Sequence, residues 1–313
     1  MSRPNIIAVS NQKGGVGKTT TVINLASSYA VSGKKVLVID TDYQANATIG
    51  LGMSTLTESG SKKNLSYAIK NDLTIEDVVV STPFENVDIV AGTDELSKIE
   101  ESLTGSPRQT VLMDYLLKTP KTNEYDIIII DMHPSLGCFF QACMKTSHYY
   151  LIPLFPEKYS AVGLRKQFVA AEEVRKYLNP MLTFLGALVT QYDKTRDGHN
   201  ATVQLIRKIA KGAGFNIINT HVPFSKVVSD AELKSLPLNR YKYSKGQPVA
   251  HAYSAVAAEI LPQLKGKRMG RTFAPIDVEK ITDIDLRQPV NEITKKSKVR
   301  KAKKIGNRSG AQL

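Results

Sequence analysis

The stretch NQKGGVGKTTT, Asn11–Thr21, constrains this chain more than any other. An apolar run, NIIAVS, precedes it and a helical pattern follows. A strand, a glycine-rich turn and a helix in that order make a phosphate cradle. Backbone N–H groups at the helix start point at the anion, and the helix dipole favours negative charge. Gly14, Gly15 and Gly17, with Val16 between them, let the backbone approach closely. Lys18 reaches the β- and γ-phosphates, the Thr19 hydroxyl sits on Mg²⁺, and Thr20 bonds the α-phosphate. The stretch nonetheless departs from G-x-x-x-x-G-K-[ST]. Gln12 stands where the first glycine belongs, and a second lysine, Lys13, follows it.

Short apolar runs alternate with helical patterns along the chain. NIIAVS, KKVLVID, VDIVAG, YDIIIID, YYLIPLF and FLGALVTQY read as strands, near-continuous in Val, Ile and Leu as when both sheet faces are covered. Helices are expected over 19–31, 94–103, 108–118, 161–178, 202–213 and 250–264, and residues 55–64 read as a loop. The fold class is therefore α/β: a mostly parallel twisted sheet flanked by helices, with right-handed crossovers. At 313 residues the chain can bury a large core. The pattern degrades after Leu264, so residues 1–264 are expected to form the folded unit and 265–313 a basic, partly disordered extension. Cys138 and Cys143 make no disulfide framework and, five apart on a helix, read as buried thiols. No run approaches the roughly 18 apolar residues of a membrane span. No leader pattern precedes the glycine loop, so a cytoplasmic location is expected.

Two strands end in aspartates. VLVIDTDYQAN supplies Asp40 and Asp42, and IIIIDMHPS supplies Asp131. In an open parallel sheet, ligands bind beyond the carboxyl ends of the strands, so all three are expected to face one nucleotide. Asp131 is placed to hold Mg²⁺ through water, the alternative being a helix cap or turn role. Asp40 and Asp42, two apart, share a face on a regular strand; one can assist Mg²⁺ while the other orients the attacking water.

KGGVGKTTT resembles the deviant Walker A loop of the ParA/MinD superfamily of P-loop ATPases. VLVIDTDYQANATIGLG, YDIIIIDMHPSLG, LIPLFPEKYSAVGL, GALVTQYDKT and HVPFSKVVSDAEL are similar to further stretches of ParA-type partition ATPases, so the likeness spans residues 4–264. It implies slow hydrolysis of ATP with Mg²⁺, stimulated by a partner. Lys13 then reaches across an ATP-dependent homodimer to the other subunit's phosphates, which ties dimerisation to the γ-phosphate. Lys18 and Thr19 hold phosphate and metal, Asp42 serves hydrolysis, and Asp40 and Asp131 support the metal. Asp193 and Pro223 are carried over, by resemblance alone, to the neighbourhood of the base. Three residues depart from the family pattern: Tyr43 for a proline, Ala45 for a glycine and His133 for the first proline of D-x-P-P-S. These departures bear on switching more than on binding. His133 is not read as a general base, because such ATPases need positioning more than proton abstraction.

The formal charge is +13, and it is uneven: from Lys265 onward fourteen Lys/Arg face five Asp/Glu, a net of +9. Such a basic end suggests a polyanionic partner. The resemblance implies DNA bound without sequence preference on the ATP dimer, hence nucleoid association, and a ParB-like centromere-binding protein for site recognition. Candidate DNA contacts are Arg207, Lys208, Lys211 and Lys226, with Lys298, Arg300 and Lys301 in the tail. A MinD-like membrane cycle needs bulky apolar residues beside the terminal lysines, and residues 293–313 lack Phe, Trp and Met. A relative that positions a cargo other than DNA would use the same chemistry.

Overall fold

The computed structural model describes residues 4–264 apart from 59, 158 and 242–246. The basic extension 265–313, with Lys298, Arg300 and Lys301, lies outside the described residues.

Seven strands form one sheet: β1 (Asn5–Val9), β2 (Val36–Asp40), β3 (Val80–Ser81), β4 (Val87–Val90), β5 (Ile127–Asp131), β6 (Tyr149–Leu154) and β7 (Thr183–Val189). The order is β3-β4-β2-β5-β1-β6-β7, parallel throughout except for β3 at one edge. The helices are α1 (Lys18–Val31), α2 (Asn46–Gly50), α3 (Leu65–Lys70), α4 (Ile75–Val78), α5 (Leu96–Leu103), α6 (Leu112–Leu116), α7 (Cys138–Thr146), α8 (Ser160–Tyr177), α9 (Asp197–Ala213), α10 (Val227–Leu233) and α11 (Gln247–Leu264).

The continuous apolar strands are explained by two cores, one on each sheet face. Ile6, Ala8, Leu37, Ile39, Ile128 and Ile130 pack on one side with α5 to α9. Ile7, Val9, Val36, Val38, Ile127 and Ile129 pack on the other with α1 and α11. Period-2 alternation thus sends successive side chains to opposite cores, and both faces demand apolar residues. Cys138 and Cys143 are both buried in the first core, where burial pushes their thiols up to about 11 and about 12.

The element boundaries differ from the sequence expectation in places. The expected helix 108–118 is instead a 3-10 turn, Pro107–Thr110, followed by α6. Pro107 starts the turn and Ser106 caps it, accepting from Arg108 N. The α9 helix begins at Asp197, five residues early, where a polar first turn hides the apolar period. The edge strand β3 is two residues long, too short for any pattern. The α4 helix carries a capping box between Thr74 and Asp77.

Candidate nucleotide site

The glycine loop joins β1 to α1 at the carboxyl end of the sheet. Gly15 (φ 70°) and Gly17 (φ 82°) are left-handed, which is why glycine occupies both positions. The end of β7 braces the loop from outside. The Thr190 hydroxyl donates to the Val16 carbonyl at 2.8 Å, and Gln191 Nε2 donates to the Gly15 carbonyl at 2.7 Å. Asn11 ties the loop entry to β6 by donating to the Pro153 carbonyl at 2.7 Å, and accepts from Lys13 N at 3.0 Å. The braced loop forms one wall of a cavity of about 350 Å³, lined by Gly14, Gly15, Gly17, Lys18, Thr19 and Thr20 on the loop side.

Beneath the cavity lie two aspartates in register. Asp40 pairs with Asp131 across β2 and β5, and neither has exposed surface. They are not equivalent. Asp40 accepts from Thr48 N (2.9 Å), Thr48 Oγ1 (2.8 Å) and Asp42 N (3.1 Å). Burial pushes its carboxyl up to about 6, and the two Thr48 bonds oppose the rise. Asp131 is buried with no hydrogen bond to either oxygen. Burial, and then the charge of Asp40, push it well above the carboxylate range; the nearby Thr19 hydroxyl opposes this from outside bonding geometry. Lys18 is 7% exposed and donates to the Lys13 carbonyl at 3.3 Å. Its burial lowers its pKa, against the pull of Asp131 and Asp42. An orphaned, buried carboxylate beside a threonine hydroxyl is a hard-oxygen donor pair that fits Mg²⁺. Asp40, by contrast, has its oxygens engaged in fixing Thr48 and the turn to Asp42.

One expectation is corrected. Asp42 does not share a strand face with Asp40, because β2 ends at Asp40. The Asp42 amide turns back onto Asp40, and Asp42 Oδ1 accepts from Gln44 N at 2.9 Å. The turn brings Asp42 to the cavity wall beside Gln44 and Asn46, while Asp40 and Asp131 stay beneath it.

The three residues that depart from the family pattern do not line the cavity but are chain neighbours of residues that do: Tyr43 and Ala45 flank Gln44, and His133 precedes Pro134. Tyr43 and His133 stack face to face, ring centroids 3.7 Å apart and 30° from parallel. The loop after β2 is thereby joined to the loop after β5. Burial lowers the His133 pKa, opposed by the charges of Asp42 and Glu100, and its Nδ1 is buried without a partner. Ala45 is held left-handed at φ 53° as the residue before α2.

Lys13 does not line the cavity. Its ammonium forms an ion pair with Glu157 at the surface, 6.0 Å from the Phe155 ring centroid, with both charged side chains nearly half exposed. Asp193 is also absent from the cavity wall. It closes its own turn, accepting from Thr195 N and Oγ1 at 2.9 and 2.6 Å and pairing with Arg196, and the Thr195 bonds hold its pKa down. Pro223 does line the cavity, together with Phe224, Ser229, Glu232 and Tyr253, which the sequence reading did not name. Ser229 and Glu232 lie on α10, a helix too short to show a pattern, and nothing in the periodicity of α11 distinguishes Tyr253 from its core neighbours. Arg207, Lys208 and Lys211 are exposed on one side of α9, and Lys226 is exposed at the start of α10.

A family model described as an AAA domain matches residues 4–184. The chain is 35% identical to sporulation initiation inhibitor protein Soj of Bacillus subtilis, over 82% of this chain and 97% of Soj. It is 34% identical to the chromosome partitioning protein ParA of Myxococcus xanthus, over 86% and 92% of the two chains. Among solved structures, a cobyrinic acid a,c-diamide synthase of Mycobacterium smegmatis with bound ATP analogue and magnesium superposes with a TM-score of 0.68 and 26% identity, covering 87% of this chain and 99% of that one. The MinD cell-division ATPase of Pyrococcus furiosus shares the fold at a TM-score of 0.65. With its glycine loop, parallel sheet and paired aspartates, the chain belongs to the ParA-type partition ATPases, within the AAA domain family.

Proposed function

We propose that this ATPase is a DNA-partition switch, which dimerises on ATP, binds DNA without sequence preference and hydrolyses ATP when a ParB-like centromere-binding protein engages it. The observation that carries the reading is Lys13. It belongs to the phosphate loop, yet its ammonium stands outside its own cavity on an exposed acidic partner. A lysine so placed serves a second subunit's phosphates better than its own.

Residues 1–264 form the ATPase unit in this reading, and 265–313 a basic extension that adds DNA affinity. The triphosphate lies on the N–H groups of the loop and the start of α1. Lys18 leaves the Lys13 carbonyl for the phosphate oxygens. Thr19 and Asp131 would hold Mg²⁺, whose charge would offset that of the phosphates. Asp42, fixed by the turn to Gln44, orients water at the γ-phosphate. Asp40 keeps that turn in place through Thr48 and the Asp42 amide. Lys13 of the second subunit adds the remaining positive charge, so loss of the γ-phosphate loosens the dimer. Arg207, Lys208, Lys211 and Lys226 meet DNA phosphates by counterion release, with Lys298, Arg300 and Lys301 in support.

The test is binding to a random-sequence duplex at two salt concentrations, with ATP, with ADP, and for Lys13→Ala with ATP. Tight, salt-weakened binding that needs both ATP and Lys13 is expected. Binding indifferent to nucleotide would leave DNA affinity to the basic extension alone and overturn the switch.

A further inference from the structure

The wall facing the phosphate loop carries a carboxylate where the ligand's own charge makes one costly. Glu232, on α10, lines the cavity, and its Oε1 accepts the Thr20 hydroxyl at 2.8 Å. Thr20 is in the first turn of α1, beside the residues that face the phosphates. A carboxylate so close to a polyphosphate is repelled, unless it meets a hydrogen-bond donor of the same ligand. The phosphates of a magnesium nucleotide offer none. The donors of a nucleotide are its ribose hydroxyls and the amino group of the base. The Thr20 hydroxyl is engaged by Glu232, but its N–H is one of the unpartnered donors in the first turn of α1 that face an anion, so a group bonded to that hydroxyl stands close to the phosphate end of the ribose and farther from the base edge. Ser229 lies three residues earlier on α10 and lines the same cavity, so a hydroxyl and a carboxylate share one helix face. Pro223 and Phe224 put apolar surface on the same wall.

We infer that Glu232, with Ser229 beside it, is the ribose-reading site of this cavity. One carboxylate oxygen keeps Thr20, and the other accepts a hydrogen bond from the 2′- or 3′-hydroxyl. Glu232 is then a specificity residue that selects ribonucleotides over deoxyribonucleotides. The inference deepens the nucleotide reading above and rests on it.

The experiment is equilibrium titration of the full chain, with Mg²⁺, by ADP, 2′-deoxy-ADP and 3′-deoxy-ADP, none of which has a γ-phosphate to lose. It is run on wild type, Glu232→Gln and Glu232→Ala. Glu232 is exposed, so the variants keep the fold, which thermal unfolding checks. A hydrogen bond to a charged acceptor predicts ADP binding about tenfold tighter than at least one deoxy analogue. Glu232→Ala should bring that ratio near one and leave the weaker analogue's affinity unchanged or improved, with Glu232→Gln between. Equal wild-type affinity for all three nucleotides would overturn the inference. So would equal tightening of all three by Glu232→Ala, which would make Glu232 a repulsive gate on the phosphates. No binding of any of the three to wild type would overturn the nucleotide reading itself.

Discussion

Replacing Asp131 with asparagine should stabilise the nucleotide-free protein while removing its response to Mg²⁺-nucleotide. Asp131 is buried and neither oxygen is bonded. Asparagine leaves the same acceptor unpaired, so its gain comes from the ionisation alone: above the unfolded pKa, each unit by which burial raises the Asp131 pKa costs the wild type about 1.4 kcal/mol. Asparagine keeps the shape and removes the charge that meets Asp40 and Asp42 on one side and only Lys18 on the other. The pH dependence follows by linkage. The unfolded chain releases this proton near pH 4 (roughly the ordinary aspartate value), whereas the folded chain holds it to well above that. In that interval the native state binds more protons, so wild-type stability falls as pH rises. Asp40, pushed up to about 6, falls in the same direction; with no Asp131 charge beside it in the variant it ionises more readily, which adds to the variant's advantage as pH rises. The advantage of Asp131→Asn therefore grows with pH. A gain of about 1–3 kcal/mol corresponds to roughly 2–10 °C in Tm for a domain of this size. The assay is thermal unfolding of both proteins at pH 5 and pH 8, with and without Mg²⁺-ADP. Ligand should raise the wild-type Tm and leave the variant unmoved. A variant no more stable than wild type at pH 8, or an advantage that shrinks between pH 5 and 8, would refute the reasoning.

Two further predictions concern the loops after β2 and β5. A double-mutant cycle of Tyr43→Ala and His133→Ala, followed by urea unfolding of the nucleotide-free protein, should yield a coupling of about 0.5–1.5 kcal/mol, as for a stacked ring pair; strict additivity would deny the contact. Ala45→Gly should raise stability by about 0.5–1 kcal/mol in the same assay, because alanine is strained at φ 53° and glycine is not. Loss of stability on that change would mean the loop is not held left-handed.

Much of the sheet was legible because its strands are buried on both faces. A run such as IIIID has no reading other than a covered strand ending in a charged residue, and β5 is that run. The glycine loop was legible because left-handed turns leave a residue-type mark, here Gly15 and Gly17. Short elements left no such mark. Of the four- to seven-residue helices α2, α3, α4 and α10, only α3 and α4 carry side-chain caps, and none is long enough to show an apolar period. The α10 wall of the cavity, with Ser229 and Glu232, was lost with them. The shared face expected of Asp40 and Asp42 fails for a related reason: spacing says which face a strand residue takes, but not where the strand stops.

The departures at positions 43, 45 and 133 show what a linear pattern hides. Read singly, each is a local exchange of a conformationally special residue for an ordinary one. In the fold, two of the three become a single feature, since Tyr43 lies on His133 although 90 positions separate them. A proline restrains its own loop by fixing φ; a stacked pair restrains two loops against each other. The exchange thus replaces local stiffness with coupling between the turn that carries Asp42 and the loop that follows Asp131. Those are the two segments that a γ-phosphate and its metal would touch together. Ala45 adds strain to the first of them, so the turn is held by the ring stack and by Asp40 rather than by its own backbone preference. In such a loop, loosening one side loosens the other, and the urea cycle at Tyr43 and His133 reads that coupling directly.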